Sequence, residues 1–217
     1  MTPLDSLQLG RDLPELIRSG VAADPRLGYL LLAVAMLLEN VVPPIPSEVI
    51  LPLGGFLVQQ GQLRMLPVVL ACLLGTVLGA WFWYGVGRLV DLERLERWFA
   101  ARGGWLGLGP GALTTSREWF GRHGTALIFW GRMVPGVRTL VSVPAGLDRM
   151  PQVPFLAWTI AGSLLWVTAL TLAGRLLGAG YGQVVLWLGP LARGVKAVLL
   201  LGAVAVVLFS LLRRRRA

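Results

Sequence analysis

Long stretches without charge dominate the hydrophobic pattern of this chain. Residues 63–87 contain one charged side chain, Arg64, and residues 151–174 contain none. A helix needs roughly 20 apolar residues to cross a bilayer. Each of these two stretches therefore predicts a transmembrane helix.

Three further apolar stretches are shorter or interrupted. Residues 27–38 and 49–63 lie on either side of a proline-rich run, and apolar segments this short are more often re-entrant or interfacial than membrane-spanning. Residues 181–212 are broken by Arg193 and Lys196. We expect the membrane part of that last stretch to extend from about residue 197 to 212.

Polar positions predict the segments between these stretches. Leucines and an isoleucine in residues 1–26 partly share one helical face, which favours an amphipathic helix lying on the membrane surface. A cluster of acidic and basic residues at 91–102 predicts an aqueous or interfacial helix. The glycine-rich residues 103–111 then favour a hinge between two halves of the chain. The apolar face of the first segment is formed by Leu4, Leu7, Leu13, Leu16 and Ile17.

Composition agrees with a membrane protein. The chain is 55% hydrophobic with a mean hydropathy of +0.69, against roughly 45–50% apolar residues in soluble domains. The net charge is +9, and four arginines stand at 213–216, just before Ala217. Basic residues directly after a span are typical of a cytoplasmic terminus rather than of nucleic-acid binding. We therefore expect a cytoplasmic C-terminus and no nucleic-acid partner.

Two proline- and glycine-containing breaks interrupt the apolar pattern, one in each half. Residues 39–48 read E-N-V-V-P-P-I-P-S-E, and residues 131–146 read G-R-M-V-P-G-V-R-T-L-V-S-V-P-A-G. Glu39 lies 15 positions before Gly54 in the first break, and Arg132 lies 14 positions before Gly146 in the second. This similarity suggests duplicated halves.

Such paired breaks favour a transporter over a simple bundle. Proline cannot donate a backbone hydrogen bond, so irregular backbone at membrane depth must be buried in protein or line a wet cavity. Interrupted apolar segments in corresponding positions of two halves point to a binding site near the midplane of a transporter. Two ordinary interfacial turns remain the alternative.

Four charged residues in the breaks are the candidate functional groups. Arginine offers a planar fork of donors that matches phosphate or carboxylate, so Arg132 and Arg138 could converge on one anion. A simpler alternative is that both arginines only neutralise Glu39 and Glu48. Intramembrane acids also serve as proton relays, which makes the two glutamates candidates for proton coupling.

Other residues change this picture little. Gly75 and Gly79 form a small-xxx-small pair that predicts close helix packing. With one histidine, His123, and one cysteine, Cys72, the sequence lacks the arrangements typical of nucleophilic or metal hydrolases. We expect neither an enzyme nor a metal or other cofactor.

The motifs in this order resemble those of the DedA family, also called the VTT or SNARE-associated Golgi domain family. They are E-N-V-V-P-P-I-P-S-E with the following L-P-L-G-G, Y-G-V-G-R at 84–88, F-W-G-R-M-V-P-G-V-R at 129–138 and A-G-L-D-R-M at 145–150. Phe155, Gly162 and Trp166 complete the match. The chain has Met133 where many members have an aromatic residue, and Glu48 resembles the second acid of the P-P-I-P-S-E branch.

The resemblance implies a fold and a function. It implies an all-α polytopic membrane protein with an inverted repeat, in which two oppositely oriented re-entrant hairpins, at about 40–60 and 131–150, meet at the membrane centre. The hairpins belong to a membrane core of residues 27–180, preceded by the helix of 1–26 and followed by a C-terminal span and basic tail at 181–217. Their tips are assigned to Pro43, Pro44, Pro46, Pro135 and Gly136.

The resemblance also implies lipid movement. Bacterial members are linked to recycling of undecaprenyl phosphate driven by the proton motive force, which places this chain in the bacterial cytoplasmic membrane. The hypothesis is a flippase in which Arg132 and Arg138 bind the lipid phosphate and Glu39 and Glu48 couple protons. Alternatives are a phospholipid scramblase, a proton-coupled transporter of small solutes or cations, and a scaffold that transports nothing.

Overall fold

A computed structural model describes residues 3–41, 47–90, 112–134 and 137–181, together with positions 186 and 194. All regular structure in these ranges is helical, as the all-α prediction requires. The helices are α1 Pro3–Ala23, α2 Pro25–Val41, α3 Ser47–Gln59, α4 Met65–Leu89, α5 Ala112–Gly131, α6 Val137–Leu140, α7 Ser142–Leu147 and α8 Gln152–Leu177, followed by a 3-10 turn, Gly178–Tyr181.

Two helices are long and apolar enough to cross a membrane among the described residues. They are α4 and the continuous helical segment Gln152–Gly180, with mean hydropathies of 2.1 and 1.7. At a rise of about 1.5 Å per residue, α4 is roughly 37 Å long and exceeds the roughly 30 Å of a hydrocarbon core. Both spans predicted from the sequence are therefore present as helices.

The N-terminal segment forms the predicted helix, and the described end of its apolar face is partly buried against the protein. Helix α1 contacts α2, and Ile17 and Val21 are buried in the larger hydrophobic cluster while Leu16 is exposed. Burial of Ile17 and Val21 accounts for this part of the apolar periodicity, whereas the side chains of Leu4 and Leu7 lie outside the described ones. That α1 lies on a membrane surface stays a prediction.

Glycines allow α2 and α4 to pack with their backbones close together. A Cβ atom at Gly75 would collide with the carbonyl oxygen of Ala33, and one at Gly79 would collide with the side chain of Asn40. The predicted role of this glycine pair in close packing is thus confirmed. Helix α2 also continues past Glu39 to Val41, so the glutamate lies within the helix and not at its end.

The second half repeats this contact between α5 and α8. A Cβ atom at Gly162 of α8 would lie 2.7 Å from the carbonyl oxygen of Phe129 in α5. In each half, the helix before the break therefore packs against the long helix that follows the break.

The short helices after the breaks pack across the halves. Helix α3 lies along α8, and α7 lies along α4. Both contacts are backbone to backbone. A Cβ at Gly55 of α3 would meet the backbone of α8, and a Cβ at Gly174 of α8 would meet that of α3. In the same way, a Cβ at Gly87 of α4 would meet the backbone of α7, and a Cβ at Gly146 of α7 would meet that of α4. The two halves are interlocked through these four glycines.

The long helices also share a sequence pattern. Pro67, Gly75, Gly87, Arg88 and Leu89 of α4 recur 87 positions later as Pro154, Gly162, Gly174, Arg175 and Leu176 of α8. The repeated glycines make equivalent contacts in the two halves. This repeat supports the predicted duplication independently of the two breaks.

Several predicted features fall outside the described residues. They include the proposed hairpin tips at Pro43, Pro44, Pro46, Pro135 and Gly136, the charged cluster and hinge at 91–111, and the C-terminal span and basic tail.

Candidate functional site

A buried ion pair joins the two breaks. Arg138, in α6, donates from Nη2 to Oε1 of Glu39, near the end of α2. The side chains are 3% and 7% exposed. Since an isolated charge in an apolar interior is very costly, both residues can remain charged there chiefly because they meet.

Asn40 holds the carboxylate of Glu39 in place. Its side-chain nitrogen donates to Oε2 of Glu39 and to the carbonyl oxygen of Met36, each at 3.0 Å. The backbone carbonyl of Asn40 in turn accepts a 2.9 Å hydrogen bond from the indole nitrogen of Trp83 in α4. The glutamate is thus fixed both within its own helix and against the long span.

Arg132 is bound by hydroxyl groups. It follows α5 directly and is 1% exposed. Its Nη2 atom lies 2.7 Å from Oγ of Ser142 in α7 and 3.4 Å from Oγ1 of Thr159 in α8. Its Nε and Nη1 atoms are buried and have no hydrogen-bond partner among the described residues.

These three charges form one electrostatic cluster with an excess of positive charge. Arg132 lies close enough to Arg138 and Glu39 for both charges to act on it. Two guanidinium groups and one carboxylate give a net charge of +1. A buried guanidinium with two donors left over favours an anionic ligand, because orphaned buried donors are costly.

Glu48 is buried in the first turn of α3. A carboxylate is favoured there by the positive end of the helix dipole. Among the described residues it forms no ion pair with either arginine. The prediction that the four charges face one another is thus confirmed for Glu39 and Arg138, and for Arg132 and Glu48 it stays a prediction.

The simpler alternative, in which each arginine neutralises one glutamate, fits only half of this geometry. Arg138 pairs with Glu39, whereas the observed partners of Arg132 are the neutral hydroxyls of Ser142 and Thr159. An arginine held by neutral groups keeps its full charge available to a ligand. Phosphate and carboxylate are the anions that match its donor geometry.

Sequence reasoning missed the residues that position the charges, namely Asn40, Ser142 and Thr159. Asn40 directly follows Glu39 in the E-N-V-V-P-P-I-P-S-E motif, so a contact between the two side chains could have been predicted from the sequence. Ser142 and Thr159 lie 10 and 27 positions after Arg132, and nothing in their local sequence sets them apart from other hydroxyl residues of apolar helices.

Metal ligands do not cluster in the described part of the chain, where no group of three or more His, Cys, Asp and Glu side chains could hold an ion. The chemistry available at the site is therefore that of guanidinium, carboxylate and hydroxyl groups. These groups can bind an anion and exchange a proton.

Two apolar helices of spanning length and a buried charged cluster are features expected of an integral membrane protein. The VTT domain model matches residues 45–176, more than half of the chain. The chain belongs to this family, which is the DedA family indicated by its motifs.

Three relatives illustrate the range of the family. A protein of Lactococcus lactis subsp. cremoris named "Alkaline phosphatase-like protein" is 42% identical over 158 residues, which cover 72% of this chain and 74% of the relative. Undecaprenyl phosphate transporter A of Staphylococcus aureus is 30% identical over 191 residues, covering 88% and 94%. The Bacillus subtilis protein of the same name is 27% identical over 191 residues, covering 88% and 91%. No solved structure matches the chain significantly.

Proposed function

We propose that this protein is a proton-coupled flippase that moves a phosphate-bearing lipid, with undecaprenyl phosphate as the first candidate, across the bacterial cytoplasmic membrane. The observation that carries the proposal is Arg132, a buried guanidinium with two unpartnered donors beside the Arg138–Glu39 ion pair. The names of two relatives that this chain matches over most of its length support the same substrate.

In this mechanism the lipid phosphate binds between Arg132 and Arg138. Arg132 uses its Nε and Nη1 donors, while Ser142 and Thr159 keep the guanidinium oriented. The phosphate competes with Glu39 for Arg138, since both are anions that bind the same fork of donors. The hydrocarbon tail stays in the bilayer, so only the head group crosses the polar site.

Competition for Arg138 supplies the coupling to protons. A carboxylate that loses its cation in a poorly hydrated site takes up a proton more readily. Glu39 therefore binds a proton when the phosphate arrives and releases it when the ion pair forms again. Glu48, buried at the start of α3, is the second proton-coupling residue of the proposal.

Each half packs a short helix on the long helix of the other half, and this supports a two-fold architecture for the transporter. Helix α3 packs on α8 and α7 packs on α4, and two inverted halves with re-entrant hairpins meeting at the centre would produce these contacts. The tips are assigned to the three prolines at 43, 44 and 46 and to Pro135 and Gly136. The assigned core is 27–180, and the C-terminal tail at 213–216 faces the cytoplasm.

Leaflet exchange of labelled undecaprenyl phosphate in reconstituted liposomes tests the proposal. We expect exchange that is accelerated by a pH gradient and reduced at least tenfold by Arg132→Gln or Arg138→Gln. The control is Arg175→Gln, an exposed arginine at the end of α8. Equal exchange by all four proteins would exclude the phosphate site.

The same liposomes distinguish the proposed flippase from a scramblase and from a lipid-phosphate hydrolase. A rate of leaflet exchange that depends neither on the pH gradient nor on the lipid head group would indicate a scramblase and contradict proton coupling. Release of inorganic phosphate from the lipid would indicate hydrolysis, the activity that the name of the Lactococcus relative suggests for that protein, and would contradict a non-enzymatic transporter.

A further inference from the structure

A groove of about 790 Å³ runs along the second half of α4, away from the buried charges. Its lining includes Leu78, Trp81, Phe82, Gly85 and Arg88 from α4, with Arg149 from the turn before α8 and Gln152 from the start of α8. None of Glu39, Arg132 and Arg138 lines it. It is a separate feature from the site described above.

The α4 side of the groove is an apolar stripe. Leu78, Trp81, Phe82 and Gly85 recur at helical spacing, so they share one face of the helix. Leu78, Trp81 and Phe82 are each 41–50% exposed. A Cβ atom at Gly85 would meet nothing within 4 Å, so the missing side chain leaves the floor of the groove open.

Two arginines form the charged end of this groove. The Nη1 atom of Arg88 lies 2.9 Å from the hydroxyl of Tyr84, and its guanidinium carbon lies 6.0 Å from the centre of that ring. The Tyr84 hydroxyl donates to the carbonyl oxygen of Met150. Tyr84 thus fixes Arg88 and also ties the turn that carries Arg149 to α4.

The backbone at Arg149 is fixed by the end of helix α7. Its φ is 51°, in the left-handed region that favours glycine. Gly61, in the turn after α3, has a φ of 74°. Arg149 is the left-handed residue that ends helix α7, because the N–H groups of Met150 and Arg149 donate back to the carbonyl oxygens of Ala145 and Gly146.

We propose that this groove binds an anionic membrane lipid, with the head-group phosphate between Arg88 and Arg149 and a hydrocarbon chain along Leu78, Trp81 and Phe82. Ten residues separate Leu78 from Arg88, which is roughly 15 Å along a helix or about half of the hydrocarbon thickness. Arg88 stands in the last turn of a helix longer than that thickness, at the level of the head groups.

Charge complementarity selects this occupant. Arg88 and Arg149 are the charged residues of the groove wall, and no carboxylate lines it among the described residues. A neutral lipid would leave two guanidinium groups without an anion, whereas an anionic lipid satisfies both. This inference goes beyond the proposed function, because binding here requires neither transport nor the central arginines.

Native mass spectrometry of the full chain in detergent, titrated with phosphatidylglycerol or phosphatidylcholine, tests it. We expect phosphatidylglycerol to bind more tightly than phosphatidylcholine, and the Arg88→Gln/Arg149→Gln double variant to weaken phosphatidylglycerol binding about tenfold. Arg175→Gln is the matched control, because Arg175 is the counterpart of Arg88 in the repeated sequence and does not line the groove.

A second variant fills the groove without changing its charge. Gly85→Leu places a side chain over the open floor and is expected to lower phosphatidylglycerol binding as strongly as the double variant. Equal binding of the two lipids, or phosphatidylglycerol binding unchanged by either variant, would overturn the proposal. If the protein instead forms dimers, and Gly85→Leu abolishes the dimers but leaves lipid binding unchanged, a second copy of the chain occupies the groove. That result would also overturn the proposal.

Discussion

Glu39 and Arg138 are 99 positions apart in the chain and meet in its interior as an ion pair. Replacing such a pair with apolar residues is often harmless, whereas removing one partner leaves a buried charge uncompensated. The ion pair therefore contributes more to the specificity of the contact between α2 and α6 than to its free energy. It also places the one carboxylate of the cluster next to the guanidinium that a ligand would compete for.

Glu39→Gln tests this pair. It should lower the free energy of unfolding in mixed micelles by about 3 kcal/mol, because Arg138 loses its counter-charge while staying buried. The double variant Glu39→Gln/Arg138→Gln should recover much of that loss. Independent, additive effects of the two substitutions would contradict the ion pair.

Arg149→Gly tests the strained turn. Releasing a left-handed residue gains about 1–2 kcal/mol, and the added freedom of glycine in the unfolded chain removes about 0.5–1 kcal/mol of it. A net stabilisation of up to about 1.5 kcal/mol is expected in the same unfolding measurement. Arg88→Gln, with ordinary helical backbone, should show no such gain, and a clear loss of stability in Arg149→Gly would refute the strain.

At this scale the sequence identified the charged residues but not their partners. Glu39, Arg132 and Arg138 stood out because charges in apolar segments are rare and costly. Ser142 and Thr159 did not, because a hydroxyl in an apolar helix can bond its own backbone and carries little cost. Which hydroxyl faces Arg132 depends on how α7 and α8 pack around it, and that is a tertiary property.

At the scale of elements, the long helices were predictable from length and hydropathy alone. Predicted spans at 63–87 and 151–174 differ by a few residues from α4, Met65–Leu89, and α8, Gln152–Leu177. Short segments were harder. An apolar segment of this length is compatible both with a helix of a re-entrant hairpin and with an interfacial turn. The packing of α3 on α8 is a tertiary contact that the local sequence of α3 does not predict.

Small residues decide how closely these elements pack, and Gly75→Ala tests this. The new methyl group would push α4 away from the Ala33 carbonyl of α2, so we expect a loss of about 1–3 kcal/mol. Gly162→Ala should behave alike at the equivalent α5–α8 contact.

Gly85→Ala provides the matched control for these glycines. It lies in the same helix with nothing within 4 Å of the added Cβ, and alanine is the better helix former by about 1 kcal/mol. It should be neutral or stabilising. If Gly75→Ala and Gly85→Ala have the same effect, close approach of α2 and α4 is not what requires the glycine.

For the whole molecule, the interlocked halves predict mutual dependence. Cutting the chain at Gly109, in the glycine-rich segment between the halves, should give two fragments that are each degraded when expressed alone and that co-purify when expressed together. The reason is that α3, in the first fragment, packs mainly on α8 of the second, and α7, in the second fragment, packs mainly on α4 of the first. Stable accumulation of either fragment alone would contradict this interlock.

The interlock also sets an order of events during synthesis. Gly55 of α3 packs against the backbone at Thr171, and at about 5–20 residues per second the ribosome adds that residue roughly 6–23 s after Gly55. For that interval α3 must wait in the bilayer or at the translocon without the helix it will finally contact. The first half of the chain is therefore exposed to quality-control proteases for a time fixed by the length of the second half, and slowing translation between residues 60 and 170 should lower the yield of folded protein.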